Sequence, residues 1–479
     1  MANITPENLV KLRVLELFSG IGGWHCGLEE SQVPHDVIAA ADVNTTANEI
    51  YTLNFSATRI INKAIQALSV EDFEKFNADM IVMSPPCQPF TRVGLQRDTE
   101  DIRTKPFLHI LKVLESLQNL PNYLLLENVK GFEVSQAREL LVNTMEKCGY
   151  DHQEFLLSPL QFGIPNARLR YYFLAKRKPL SFSFTAKDEV WEELPECAKI
   201  FMRHQVDCES RSCQSDAINS EESVTMVTSG VEDVGWMGRC NRCSETDSDI
   251  QFNQNFSAAA CGNVSLADGE KVPPDACDEV PSAQKEGVNN DSYGKEFTSQ
   301  GICDKYENSL DLSDDELLAH EMVERELSKY TKHCRTLQYY LEQKDEAYFD
   351  EYLVPEEKLK RMAVMDLVKP TERKCICFTK AYGHHMNGTG SMLQQGPDPT
   401  SDVHLKKKDF SDSEWLLVRQ LKLRFFTPRE IAKIMCFPSD YKFPKHFTKR
   451  QCYRVLGNSL NVHVCSTLIK LLVLPEIPS

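Results

Sequence analysis

Short runs of consecutive apolar residues alternate with stretches of helical periodicity from Arg13 to about Leu174, a pattern that predicts a βαβ succession and a mainly parallel sheet. Strands are expected at Arg13–Phe18, Val37–Ala41, Met80–Met83, Tyr123–Leu126 and Arg170–Ala175, and helices at Thr45–Asn54, Phe107–Leu117 and Ser135–Lys147. The run Met80–Met83 has no polar alternation, as expected of a parallel strand buried on both faces. Between Cys208 and Leu312 the periodicity gives way to Ser, Asn, Gly and Asp, which predicts a mostly disordered insertion. Helical patterning returns at Asp314–Leu341, read as an exposed charged helix, and continues at Tyr352–Val368.

Net charge modifies this picture only locally. The chain's −16 seems to exclude a nucleic-acid partner, but residues 201–320 hold 24 acidic and 8 basic side chains, which leaves 46 of each elsewhere. Within the neutral remainder, Lys422, Arg424, Arg429, Lys433, Lys442, Lys445, Lys449, Arg450 and Arg454 face only Glu430 and Asp440. Interleaved with Phe425, Phe426, Tyr441, Phe443 and Tyr453, this tract reads either as a surface for a phosphate backbone or as an ordinary solvated face. Seventeen scattered cysteines suit a reducing compartment. Met1–Leu12 lacks a signal-peptide core, and no later run reads as a membrane span. Cys208, Cys213, Cys240 and Cys243 have spacings that could hold zinc, but acidic flanks and the lack of a supporting pattern argue against it, so no metal is expected.

The candidate chemistry gathers at strand ends. Pro85-Pro86 follow the apolar run and halt the ladder, so that Cys87 stands at the carboxyl edge of the sheet, where ligands collect in open α/β folds. A cysteine is more often core than catalytic, but the flanking prolines Pro85, Pro86 and Pro89 argue against a core strand here. Phe18-Ser19-Gly20-Ile21-Gly22-Gly23 forms a glycine turn after the first strand that would let backbone amides approach a ligand. A dinucleotide fingerprint needs glycine at position 25, which is His25, so another adenosine ligand fits better than NAD. Asp42 ends the second strand, placed either to bind ribose hydroxyls or to cap the following helix. Glu127 ends another apolar run, as a proton donor with a raised pKa or as a helix cap. Arg168 and Arg170, two apart, are expected on one face of a strand, to hold a phosphate and a base carbonyl or to form salt bridges.

Together these segments resemble the cytosine-5 methyltransferases that use S-adenosylmethionine. Phe18–Gly23 is similar to their cofactor loop, Pro85-Pro86-Cys87 to the nucleophile loop and Glu127-Asn128-Val129 to the acid motif. Arg168-x-Arg170 resembles the paired-arginine motif, Arg424–Glu430 running to Phe437-Pro438 the motif bracing the recognition domain, and Gly457–Val462 the last motif. Cys377-Phe378-Thr379 and Asn166 resemble the branch acting on cytosine 38 of tRNA-Asp, with DNA methylation as the alternative. The resemblance implies a Rossmann-like α/β fold: a catalytic domain at 1–184 completed by 446–479, and a recognition domain at 185–445 containing an acidic insertion at about 201–312. It implies catalytic roles for Cys87, Glu127, Arg168 and Arg170. It also implies S-adenosylmethionine contacts at Phe18, Gly20, Gly22, Asp42, Ile65, Asn458 and Ser459. A monomeric, cytoplasmic enzyme is expected, with nuclear residence and weak DNA binding allowed and no membrane partner. The basic tract and the Cys377-Phe378-Thr379 region are expected to meet the RNA.

Overall fold

In the computed structural model, nine strands occupy the first half of the chain: β1 (Leu12–Leu17), β2 (His35–Ala41), β3 (Ile60–Ile61), β4 (Met80–Met83), β5 (Tyr123–Val129), β6 (Tyr150–Leu157), β7 (Asn166–Ala167), β8 (Arg170–Arg177) and β9 (Val190–Trp191). Eight of them form one sheet in the order β3-β2-β1-β4-β5-β8-β6-β9. The pairs from β3 to β5 are parallel, whereas β8 runs antiparallel to both β5 and β6. The described residues are 11–86, 103–198, 328–398 and 410–474, all within one compact unit. Cys87 and the predicted insertion, with its four cysteines, lie outside them.

Strand alternation divides the core. Leu15, Leu17, Ile81, Met83, Leu124 and Leu126 face one side, which is covered by α3 (Val70–Phe76), α4 (Lys105–Ser116) and α5 (Gln136–Lys147). Val14, Met80, Val82 and Leu125 face the other, against Trp24 and Leu28 of α1 (Gly23–Ser31) and Leu468 and Leu472 of the C-terminal helix Val462–Val473. A Cβ on Gly27 would stand 3.2 Å from that of Cys465, so glycine lets α1 and this helix approach closely. The stretch Lys449–Val473 is apolar enough to pass for a membrane span, yet 78% of its apolar 18-residue window is buried. It is in fact two helices, broken between Gly457 and Val462.

A third core lies under a small sheet of β10 (Leu367–Val368), β12 (Met392–Gln394) and β13 (Leu423–Phe425), while β11 (Cys375–Ile376) pairs with β7. Here Arg424 and Glu430 form a fully buried bidentate pair at 2.7 and 2.8 Å, and Thr427 N donates to the same carboxylate at 2.9 Å. This pairing satisfies both charges away from water.

Three expectations change. Within the described part of Asp314–Leu341 there is one helical turn near Ser328 and a 3-10 turn at Leu337–Tyr340. Leu337 and Tyr340 are buried, so the end of this segment is anchored in the core and not an exposed helix, while residues 314–327 lie outside the described residues. The Tyr352–Val368 segment is not one helix: Pro355 caps the start of Glu356–Leu359, and Met362–Val364 and β10 follow as separate elements. The basic tract is not a continuous surface. Arg424, Phe425, Phe426, Tyr441 and Tyr453 are core, Lys422 pairs with Glu346 at 2.9 Å and Lys449 with Glu351 at 3.4 Å.

Candidate active site

At the carboxyl edge of β1, β4 and β5 lies a cleft of about 570 Å³. Its floor is the glycine turn after β1. Gly20 and Gly22 adopt φ +52° and +80°, and a Cβ on Gly22 would meet Phe55 at 2.6 Å. Glycine is therefore required at Gly22 both for its left-handed backbone and for space. Asp42 holds this turn: Oδ2 accepts from Gly20 N and Oδ1 from Asn44 N, each at 2.8 Å. Asp42 does not cap α2 (Thr45–Asn54), because Asn44 is the cap and accepts from Ala47 N at 3.3 Å. Burial raises the Asp42 carboxyl above its ordinary range, while the three amides of Asn44, Gly20 and Val43 lower it again.

Six of the seven expected cofactor contacts line the cleft: Phe18, Gly20, Asp42, Ile65, Asn458 and Ser459. Gly22 lies behind, as the residue from which α1 starts. Glu127, Arg168 and Arg170 line the same cleft, as do Ser84, Pro85 and Pro86, which lead to Cys87. One cavity thus receives both sets.

Glu127 is not a helix cap. It lies inside β5 opposite Tyr172 of β8, and Ser135 caps α5 instead. Its burial pushes the carboxyl above the ordinary range, and Arg170, with Nε 3.4 Å from Oε1, then Arg168 and a hydrogen bond with Ser84 restrain the rise. The Ser84 hydroxyl accepts from Trp24 Nε1 at 3.0 Å. An indole N–H can only donate, so the serine proton is left to point at Glu127. Asn128 Nδ2 reaches Pro85 O at 3.4 Å, tying the acid motif to the segment before Cys87.

The two arginines do not share a strand face. β7 ends at Ala167 and β8 begins at Arg170, with Arg168 in the link between. Buried Arg168 donates through Nη1 to Cys377 Sγ at 3.2 Å and Phe378 O at 3.3 Å, and through Nη2 to Ser459 O and to Gly457 O at 3.5 Å. It therefore binds the Cys377-Phe378 segment to the Gly457–Ser459 turn. Burial alone would raise the Cys377 thiol, but Arg168 and Arg170 outweigh it and leave the thiol below its ordinary range. Phe378 is core, packed on Tyr382 and Phe426.

Trp24 and Ser84 are positioning residues that sequence reasoning did not single out, and Asn128, named there only within the acid motif, is a third. Val43, 62% exposed and beside Asp42, also lines the cleft. An apolar residue at a strand exit was the available signal for Val43. For the other three, only proximity in space reveals the role.

A parallel-cored α/β sheet with the glycine turn, acid and paired arginines at one edge defines a Rossmann-like methyltransferase. The profile described as C-5 cytosine-specific DNA methylase matches residues 12–473, and the chain belongs to that family. A Bos taurus tRNA (cytosine(38)-C(5))-methyltransferase is 39% identical over 463 residues, covering 96% of this chain and 99% of the relative. The Mus musculus protein of the same name is 40% identical over 464 residues, covering 96% and 93%. A crystal structure of a Spodoptera frugiperda DNMT2 mutant aligns with TM-score 0.60 at 30% identity, covering 96% of this chain and 98% of that one. A Dictyostelium discoideum relative, 33% identical and covering 97% and 95%, is named a DNA (cytosine-5)-methyltransferase.

Proposed function

We propose that the chain methylates C5 of cytosine 38 in the anticodon loop of tRNA-Asp. The observation that carries this reading is the single cleft in which Glu127, restrained by Arg170, stands beside the strand exit leading to Cys87 and the glycine turn. Near-full-length similarity to relatives named for cytosine 38 of tRNA supports the substrate.

Phe18, Gly20, Asp42, Ile65, Asn458 and Ser459 would hold S-adenosylmethionine, with Gly22 keeping the turn open. The bound cofactor supplies an electrophilic methyl group. Cys87, as thiolate, adds to C6 of the target cytosine while Glu127 donates a proton to N3, which makes C5 electron-rich. Once C5 carries the methyl group, loss of the C5 proton to water expels the Cys87 sulfur as thiolate, and N3 returns its proton to the Glu127 carboxylate, which restores the ring. Arg170 keeps Glu127 oriented, and Arg168 fixes the two loops that frame the cleft. The base must leave its stack to reach Cys87, which costs less in an anticodon loop than in a duplex. A monomer acting in the cytoplasm, and also in the nucleus, completes the reading, with residues 185–445 as the recognition part.

Cys87→Ala should abolish transfer of labelled methyl to total tRNA and leave cofactor binding nearly intact; retained turnover refutes the nucleophile assignment. The Dictyostelium relative's name favours DNA as the second reading. Bisulfite sequencing of tRNA and genomic DNA from cells lacking the protein decides: loss at one anticodon-loop cytosine supports tRNA, and loss across the genome supports DNA.

A further inference from the structure

At α1, among residues that do not line the cleft, three side chains converge. His25 Nε2 lies 3.8 Å and His35 Nε2 3.7 Å from the same oxygen, Oε1 of Glu29, and the three atoms all fall within 4.8 Å of one another. His25 and Glu29 are one helical turn apart on one face, and β2 brings His35 to them.

Each imidazole is oriented from behind. His35 Nδ1 lies 2.7 Å from Val33 O. A carbonyl can only accept, so Nδ1 carries a proton, and in the neutral ring Nε2 presents a lone pair. Burial lowers the pKa of this imidazole, but Glu29 and Val33 O outweigh it, so a metal ion would displace a proton from Nε2. His25 Nδ1 lies 2.8 Å from the Tyr51 hydroxyl, which itself donates to Glu16 at 2.7 Å. Tyr51 oxygen therefore accepts from His25, and His25 Nε2 also presents a lone pair. Phe55, stacked on the His25 ring at 3.8 Å and 10°, locks its plane. With both rings neutral, two nitrogen lone pairs and a carboxylate converge on one point. Among the described residues, the groups acting on Glu29's charge are these two imidazoles.

We propose that His25, Glu29 and His35 form a structural site for a divalent transition-metal ion, with zinc the best fit and water as fourth ligand. Zinc bonds of roughly 2.0–2.1 Å in a tetrahedron set ligand atoms roughly 3.3–3.5 Å apart, so Glu29 has to draw in by a few tenths of an ångström, and the two imidazole nitrogens, within 4.8 Å of each other, have to meet the same spacing. The Glu29 side chain is 63% exposed and free to move. Imidazoles held by a second hydrogen bond are the usual form of metal-ligating histidine. The sequence-based expectation of no metal was argued on the insertion cysteines and did not weigh this triad, whose members are close only because β2 folds back along α1.

The test uses the purified full chain, stripped with chelator, and its Glu29→Gln and His35→Gln variants. Calorimetric titration with zinc chloride should show one more equivalent in wild type than in either variant, or the same equivalent weakened by more than the roughly hundredfold that loss of an outer-shell partner can cost. Cobalt(II) should give visible bands of a tetrahedral nitrogen and oxygen site that disappear in both variants, while any sulfur-to-cobalt absorption from the cysteines persists. The metal-free melting curve of Glu29→Gln should match wild type, since Glu29 is exposed, so the loss of metal in that variant is not a loss of fold. Equal stoichiometry and affinity in all three proteins, or cobalt spectra with thiolate bands alone, would overturn the proposal.

Discussion

Glu127→Gln isolates the proton donor, because the amide keeps the shape of the side chain and its place in β5. General acid catalysis typically contributes 10²- to 10⁴-fold, so kcat should drop by at least about a hundredfold, equivalent to roughly 2.7 kcal/mol of barrier. Structure and chemistry separate through pH. Burial raises the Glu127 carboxyl, and Arg170 and Arg168 oppose that rise. The protonated form therefore persists above the ordinary carboxylate range, and single-turnover methylation should fall as pH rises through the raised value. Arg170→Gln removes the nearer opposing charge, 3.4 Å away; Glu127 then holds its proton to higher pH, and the falling limb should move in the alkaline direction. In Glu127→Gln that limb should be absent. Rates are read by quenched single turnover with labelled cofactor and tRNA, and melting curves check the fold. Near-wild-type turnover in Glu127→Gln, or a limb that moves toward acid in Arg170→Gln, would refute the assignment of Glu127 as the acid.

Gly457 abuts the backbone of the marker segment: a Cβ there would come 2.2 Å from Lys380 N and from Thr379 C. Gly457→Ala should cost about 1–3 kcal/mol by overpacking, seen as a lowered urea midpoint, and should reduce kcat/KM by displacing the carbonyls that Arg168 binds. Glu16 is fully buried beneath the cleft, with Oε1 lacking a partner among the described residues and its carboxyl raised by burial to about 8. Its folded pKa exceeds the 4.5 of an ordinary glutamate, so stability is undiminished below about that pH and declines up to about pH 8. Glu16→Gln should remove the decline and be more stable by roughly 4 kcal/mol at pH 8, measured by urea unfolding across pH; identical pH profiles would contradict the burial argument.

Local pattern was enough for much of this protein. Apolar runs located β1, β2, β4, β5 and β8 within a few residues, because a strand buried on both faces has to be continuously hydrophobic. The glycine turn, Asp42 and Glu127 were legible because strand ends at one sheet edge place their residues together whatever the intervening sequence. Tertiary contacts decided the rest. β5 continues through Glu127 to Val129 because β8 supplies an antiparallel ladder, which no local signal announces. Charge and aromatic content in Lys422–Arg454 suggested a nucleic-acid surface, yet the buried Arg424–Glu430 pair and the core placement of Phe425, Phe426, Tyr441 and Tyr453 depend on partners distant in sequence. Arg168 became a brace rather than an open hand for the same reason, since Phe378 and Ser459, 210 and 291 residues away, supply its acceptors. Periodicity reports which face of an element is apolar; which polar group meets a given charge is settled only when the chain closes on itself.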